Sequence, residues 1–207
     1  MILRLKEKDL SVLVDWWQSL DGDRRSRARL RRATSLDDIL LQEAFFRFLS
    51  YRMEVNGKQI GLGAEWSQAD NLHAAALICG LLARVKGRST DTIKSEQLNN
   101  NKDGLEKKEK QATFAAQLAM PGKGERPLMN ELRFQRLQKS HDLEEFFLQM
   151  CRAIDLLSGI VHLESLIEDT LHWHQEHYYG ADKNPRRRLA VRWATDYFST
   201  LNHFKLA

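Results

Sequence analysis

Between Leu10 and Leu20 the apolar residues Leu10, Leu13, Val14, Trp17 and Leu20 recur at intervals of three and four, the period of one helix face. Val12 and Trp16 widen that face. A second helix is predicted from the capping-box-like Ser35-Leu36-Asp37-Asp38 to about Tyr51, carrying Leu36, Ile39, Leu40, Phe45, Phe46, Phe48 and Leu49. Residues 52–66 hold three glycines and suit a loop or a weak hairpin. Asp70 or Asn71 then caps a third helix through HAAALICGLLARV, where Ala74, Ala75, Ala76 and Gly80 allow a neighbouring helix to approach closely.

Residues 88–111 break the pattern. Ile93, Leu98 and Leu105 are their only strongly apolar side chains, so the segment offers little surface to offset its ordering entropy and reads as a mobile loop. Helical periodicity returns afterwards: a short helix over 113–119, a turn-rich MPGKGERP, a helix over 128–139, and then Leu143, Phe146, Phe147, Met150, Cys151, Ile154 and Leu157 along one stripe. Gly159 interrupts; Leu163, Leu166, Ile167 and Leu171 resume, and a last helix runs from about Pro185, whose missing N–H is harmless in a first turn. The pattern predicts about seven to nine helices with hardly any sheet, an all-α fold of two small helical lobes or bundles joined by a polar loop. The N-terminal lobe would span 1–87, the flexible polar linker 88–111 and the C-terminal lobe 112–207.

Charge changes the picture through its placement. The formal net charge is only +4, because 28 acids offset 32 basic residues, yet six arginines fall within DRRSRARLRR at 23–32: Arg24, Arg25, Arg27, Arg29, Arg31 and Arg32. If helical, this run leaves only Ala28 and Leu30 to bury; six like charges repel, and a phosphate backbone relieves the repulsion. A second cluster comprises Lys123, Arg126, Arg133, Arg136 and Lys139, in which Arg133 and Arg136 share a helix face beside Phe134 and Leu137. A third comprises Lys183, Arg186, Arg187, Arg188 and Arg192 at the start of the last helix. No apolar run is long enough to span a bilayer, and the charged N-terminal segment is unlike a secretory signal, so no membrane and a cytoplasmic address are expected. Cys79 and Cys151 read as reduced core residues.

Candidate chemistry is sparse. His172, His174 and His177 lie close in sequence, but no HExxH or Cys-x-x-Cys accompanies them, and they read as a polar helix end. Neither GxSxG, GxxxxGK[ST] nor a GxGxxG after a strand occurs; the adjacent pairs Asp37-Asp38 and Glu144-Glu145 point apart on a helix. The expectation is no catalysis, no metal and no cofactor. Trp17, Trp173 and Trp193 fit core spacing, whereas Trp66, beside the glycines, is the tryptophan expected at the surface.

The ordered set Trp16-Trp17-Gln18-Ser19-Leu20, RARLRRA at 27–33, TFAAQLA at 113–119, NELRFQRL at 130–137, LHWH at 171–174 and RRRLAVRWATDYF at 186–198 resembles the CasB small subunit of the type I-E CRISPR surveillance complex, Cascade. That resemblance implies a non-catalytic helical subunit, stacked head to tail with a second copy along the guide-RNA filament. It implies partners too: the crRNA with its target DNA, the displaced non-target single strand, and the backbone and large subunits of the complex. Base pairing would read the sequence while the protein holds the R-loop through backbone contacts. The match carries this role to Arg27, Arg29, Arg31, Arg32, Arg133, Arg136, Arg187, Arg188 and Arg192; Arg24 and Arg25 extend the first block, and Arg126 and Lys139 the second. Two other classes fit the same residues less directly: a scaffold subunit without DNA contact, and a metal-dependent nuclease.

Overall fold

The computed structural model describes residues 3–98, 105–122 and 126–206. The chain begins with α1 (Glu7–Ser19), which buries Val12, Leu13 and Trp16, and continues into α2 (Arg24–Arg32), where Asp23 caps the arginine run by accepting the Ser26 N–H at 3.0 Å. A two-sided capping box of Ser35 and Asp38 starts α3 (Leu36–Leu40), and α4 (Glu43–Ser50) follows after a break. The sequence predicts one helix here, but two are present. On one continuous helix Phe45 would stand roughly 180° from Leu36, at about 100° per residue. The break at Leu41-Gln42 rephases the chain so that Leu36, Ile39, Phe45 and Phe48 are all buried, while Leu41 is left 86% exposed.

Strands β1 (Arg52–Val55) and β2 (Lys58–Gly61) make an antiparallel hairpin whose turn, Asn56-Gly57, has positive φ at both residues, as a tight primed turn requires. Two 3-10 turns, Ala64–Ser67 and Ala69–Asn71, lead into α5 (Leu72–Arg84), in which every residue from Ala74 to Ala83 is buried. It packs against α2, α3 and α4. Gly80 is the point of closest approach: a Cβ there would lie 2.4 Å from Ile39 Cδ1 and 2.9 Å from Phe147.

After β3 (Gly87–Arg88) come β4 (Thr92–Leu98) and β5 (Leu105–Gln111), an antiparallel pair in register from Thr92 opposite Gln111 to Leu98 opposite Leu105. A mobile loop was the expectation for this segment. Its absence of helical periodicity is equally the signature of a two-stranded ribbon, whose backbone groups pair with each other without any apolar stripe.

The second half contains α6 (Phe114–Ala119), α7 (Glu131–Gln138), α8 (Leu143–Leu156), β6 (Ile160–Val161), α9 (Leu163–Tyr179) and α10 (Leu189–Leu206). A 3-10 turn, Pro185–Arg187, precedes α10, and β6 pairs in parallel with β3. Thr113, Asn130 and Asp142 cap α6, α7 and α8 with their side-chain oxygens. Glu144 of α8 accepts the Leu36 N–H of α3 at 2.9 Å, tying the first half of the chain to the second. Buried residues from both sides of 88–111 form one connected apolar cluster. The fold is thus mostly helical, with ten α-helices and three two-stranded sheets among the described residues, more of each than the pattern predicts.

Candidate nucleic-acid interface

The arginine run is helical, and its rotation divides its members. Leu30, fully buried, fixes the inward direction. Arg25, Arg29 and Arg32, spaced at i, i+4 and i+7, form an exposed stripe on the opposite side. Arg24 and Arg31 are also exposed and border a groove of about 350 Å³ that includes Asp21 and Ala28. None of these five side chains makes a hydrogen bond or ion pair among the described residues.

Arg27 differs. Its side chain is 15% exposed, and its guanidinium donates to the Val85 and Ala83 carbonyls at the end of α5 and to Asp21. Trp17 Nε1 donates to the same Val85 carbonyl at 3.0 Å. Arg27 therefore satisfies orphan carbonyls at a helix C-terminus, where a cation also complements the dipole.

The second block gathers around a groove of about 470 Å³ between α7 and α8, lined by Met129, Arg133, Arg136, Gln149, Arg152 and Leu156, with Asp155 at its edge. Arg152 joins the predicted Arg133 and Arg136 here, and all three are exposed. Sequence reasoning missed Arg152 because α8 stands out for its apolar stripe, and a single arginine on the polar side of such a helix carries no cluster signal. Asp155 is itself engaged by Arg84 at 3.4 Å. Arg126 and Lys139 are exposed. Lys123 lies outside the described residues.

In the third block Lys183, Arg186 and Arg187 are exposed. Arg188 donates through Nε to the Asp182 carbonyl at 2.8 Å. Arg192 contacts His172 Nδ1 at 3.0 Å and the buried Asp169 carboxylate at 3.7 Å. His172 also faces Glu176 at 3.2 Å, and Glu176 accepts the Leu189 N–H that opens α10. Arg188 and Arg192 thus help hold α9, α10 and the loop between them together. Gln138 Nε2 donates to the Ala190 carbonyl at 2.8 Å, which brings Lys139 at the end of α7 beside the arginines that precede α10. The first block stands elsewhere, where α2 packs on α5.

The titratable groups of the interior are withdrawn from solvent. Burial drives Cys79 well above the ordinary thiol range and Cys151 up to about 12. His174, 2% exposed, is pushed down to about 4, chiefly by burial, and its ring lies 4.6 Å from that of Tyr178, tilted by 43°. No group of three or more His, Cys, Asp or Glu side chains is arranged to hold a metal among the described residues. Trp66 corrects an expectation: it is fully buried, edge-on to Phe48, because the 3-10 turn after the hairpin folds it beneath α5 instead of leaving it at a loop tip. Trp173 and Trp193 lie in the core at 8% and 2% exposure.

No described helix is long and apolar enough to cross a membrane. A family model described as CRISPR-associated protein Cse2 matches residues 26–198. No curated protein and no solved structure matches the chain.

Proposed function

Because the chain belongs to the CRISPR-associated Cse2 family, the CasB small subunit of the type I-E Cascade complex, we propose that it steadies the R-loop by holding nucleic-acid backbone on its free arginines. The observation that carries this reading is a set of eight exposed guanidiniums that make no hydrogen bond or ion pair among the described residues: Arg24, Arg25, Arg29, Arg31 and Arg32 on α2, and Arg133, Arg136 and Arg152 around the second groove. Each is held on a regular helix, and each keeps its donors for a ligand. A phosphate that settles on such a group releases counterions, which makes binding sequence-independent and salt-dependent. R-loop formation is nearly balanced, so a few such contacts tip it.

In this reading the displaced non-target strand and the crRNA–target duplex are the polyanions. The backbone and large subunits and a second copy of the chain are the protein neighbours. The chain works without catalysis or cofactor. A scaffold role would draw on different residues, such as the apolar Leu41, Phe46 and Leu132, which are 86%, 60% and 77% exposed, although singly exposed apolar side chains are ordinary at a protein surface. The two roles use different residues.

Glutamate at positions 133, 136 and 152 (Arg133→Glu, Arg136→Glu, Arg152→Glu) tests the reading. Single-strand affinity is expected to fall for every sequence, and the salt slope to shrink by about 2, since each lost phosphate contact removes about 0.7. The melting temperature should hold. Arg27→Ala is the contrasting variant: it leaves helix-end carbonyls unpaired, at a cost of about 1–3 kcal/mol, and lowers the melting temperature. Loss of co-purification with the other subunits, with DNA affinity unchanged, would favour the scaffold.

A further inference from the structure

Three aromatic rings form a column that runs from the core to the surface between α8 and α9. Phe146, fully buried, lies 4.0 Å from Trp173 with only 6° between the planes. Trp173 lies 5.0 Å from His177 at 10°, and His177 is exposed. Phe146 and His177 both stack on the indole, and the surface imidazole is also met at right angles by the exposed Tyr178 ring, 5.2 Å away at 88°. Beside the column opens a cavity of about 120 Å³ that reaches Trp193 and the start of α10, with Gln138, Ser140 and Glu176 supplying its polar groups.

The flanks of this cavity are cationic. Lys139 sits between Gln138 and Ser140 at the end of α7, and Arg186 and Arg187 precede Leu189 at the start of α10, which the Gln138–Ala190 hydrogen bond brings alongside. The polar groups are partly committed. Gln138 spends its amide N–H on the Ala190 carbonyl, Ser140 its hydroxyl on the Leu137 carbonyl, and one Glu176 oxygen takes the Leu189 N–H. The Gln138 side-chain oxygen and the second Glu176 oxygen make no hydrogen bond among the described residues. A flat ring with cations nearby and acceptors at its edge matches one unpaired nucleobase with its neighbouring phosphates. Stacking of this kind tolerates any base, because every base has a π-face.

We propose that His177 is the platform on which one base of a single-stranded nucleic acid stacks, extending the Phe146–Trp173–His177 column by one ring. This rests on the backbone-holding reading and adds a base contact to it. The base gains a rigid seat, since the two rings behind the imidazole are fixed in the core and lose no freedom on binding. Lys139 and the Arg186–Arg187 pair take the neighbouring phosphates.

The test compares the full chain with His177→Ala and His177→Phe. Two probes of equal length are used: a single-stranded DNA carrying 2-aminopurine, and a strand of abasic sugars with the same phosphates. The unsubstituted chain should quench the 2-aminopurine and prefer the base-bearing strand. His177→Ala should lose the quenching and about five-fold or more of its affinity for that strand. Its affinity for the abasic strand and its melting temperature should stay the same. His177→Phe should restore both quenching and preference. Unchanged quenching and affinity in His177→Ala, or equal binding of the two strands by the unsubstituted chain, would overturn the platform and leave the arginine contacts standing. Failure of the unsubstituted chain to bind either strand would overturn both readings.

Discussion

Asp169 and His174 sit five positions apart on α9, each 2% exposed, and burial moves their proton affinities in opposite directions. The Asp169 carboxyl is raised to about 6 by burial, against the pull of Trp193, Arg192 and Ser165; His174 is lowered to about 4, again mainly by burial. Between the ordinary aspartate value of 3.8 and about 6 the folded chain keeps a proton on Asp169 that the unfolded chain has released, so this group's contribution to stability falls as pH rises. Between about 4 and the ordinary histidine value of 6.5 the unfolded chain carries the extra proton, so the His174 contribution grows as pH rises. The two slopes oppose each other. Asp169→Asn should therefore steepen the rise in melting temperature between about pH 4.5 and 6.5, and His174→Phe should flatten or reverse it, relative to the unsubstituted chain. Identical slopes in all three would refute the assignment. The residue scale is also where the sequence is least legible. Arg27 and Arg29 belong to one run of like residues, and only the direction set by the buried Leu30 sends one guanidinium onto the end of α5 and the other into solvent.

At the scale of elements, helices with a clean stripe and a polar cap are readable in advance. The stripe beginning at Leu143 becomes α8 behind its Asp142 cap, whereas the last helix, expected from about Pro185, begins at Leu189 after a 3-10 turn over Pro185–Arg187. Elements fixed by pairing or phase are not: the β4–β5 ribbon has no apolar face to announce it, and the break between α3 and α4 exists only because a continuous helix would misdirect Phe45. Gly80 belongs to this level as well. Alanine normally improves a helix over glycine by about 1 kcal/mol. In α5 its methyl group would press into Ile39 and Phe147, and overpacking costs about 1–3 kcal/mol. Gly80→Ala is expected to lower the melting temperature, and a higher value would show that α3 and α8 yield without strain.

For the molecule as a whole, a net charge of +4 hides the arrangement that matters. The sequence shows clusters of arginine, and the ordered blocks from Trp16 to Phe198 resemble the family whose model matches residues 26–198. Only the fold sorts those clusters into structural and available cations. It engages Arg27, Arg188 and Arg192 in contacts within the protein and adds Arg152 to the second groove from a helix that gave no cluster signal. The central claim is that the available set holds nucleic-acid backbone in an opened duplex. Binding of the isolated chain to an R-loop mimic and to fully paired DNA of the same sequence, across a salt series, tests it most directly. The account predicts tighter binding to the R-loop mimic with a log–log slope steeper than about −3, equivalent to four or five single-strand phosphate contacts. Negligible binding at low salt, or equal affinity for the paired duplex, would contradict it.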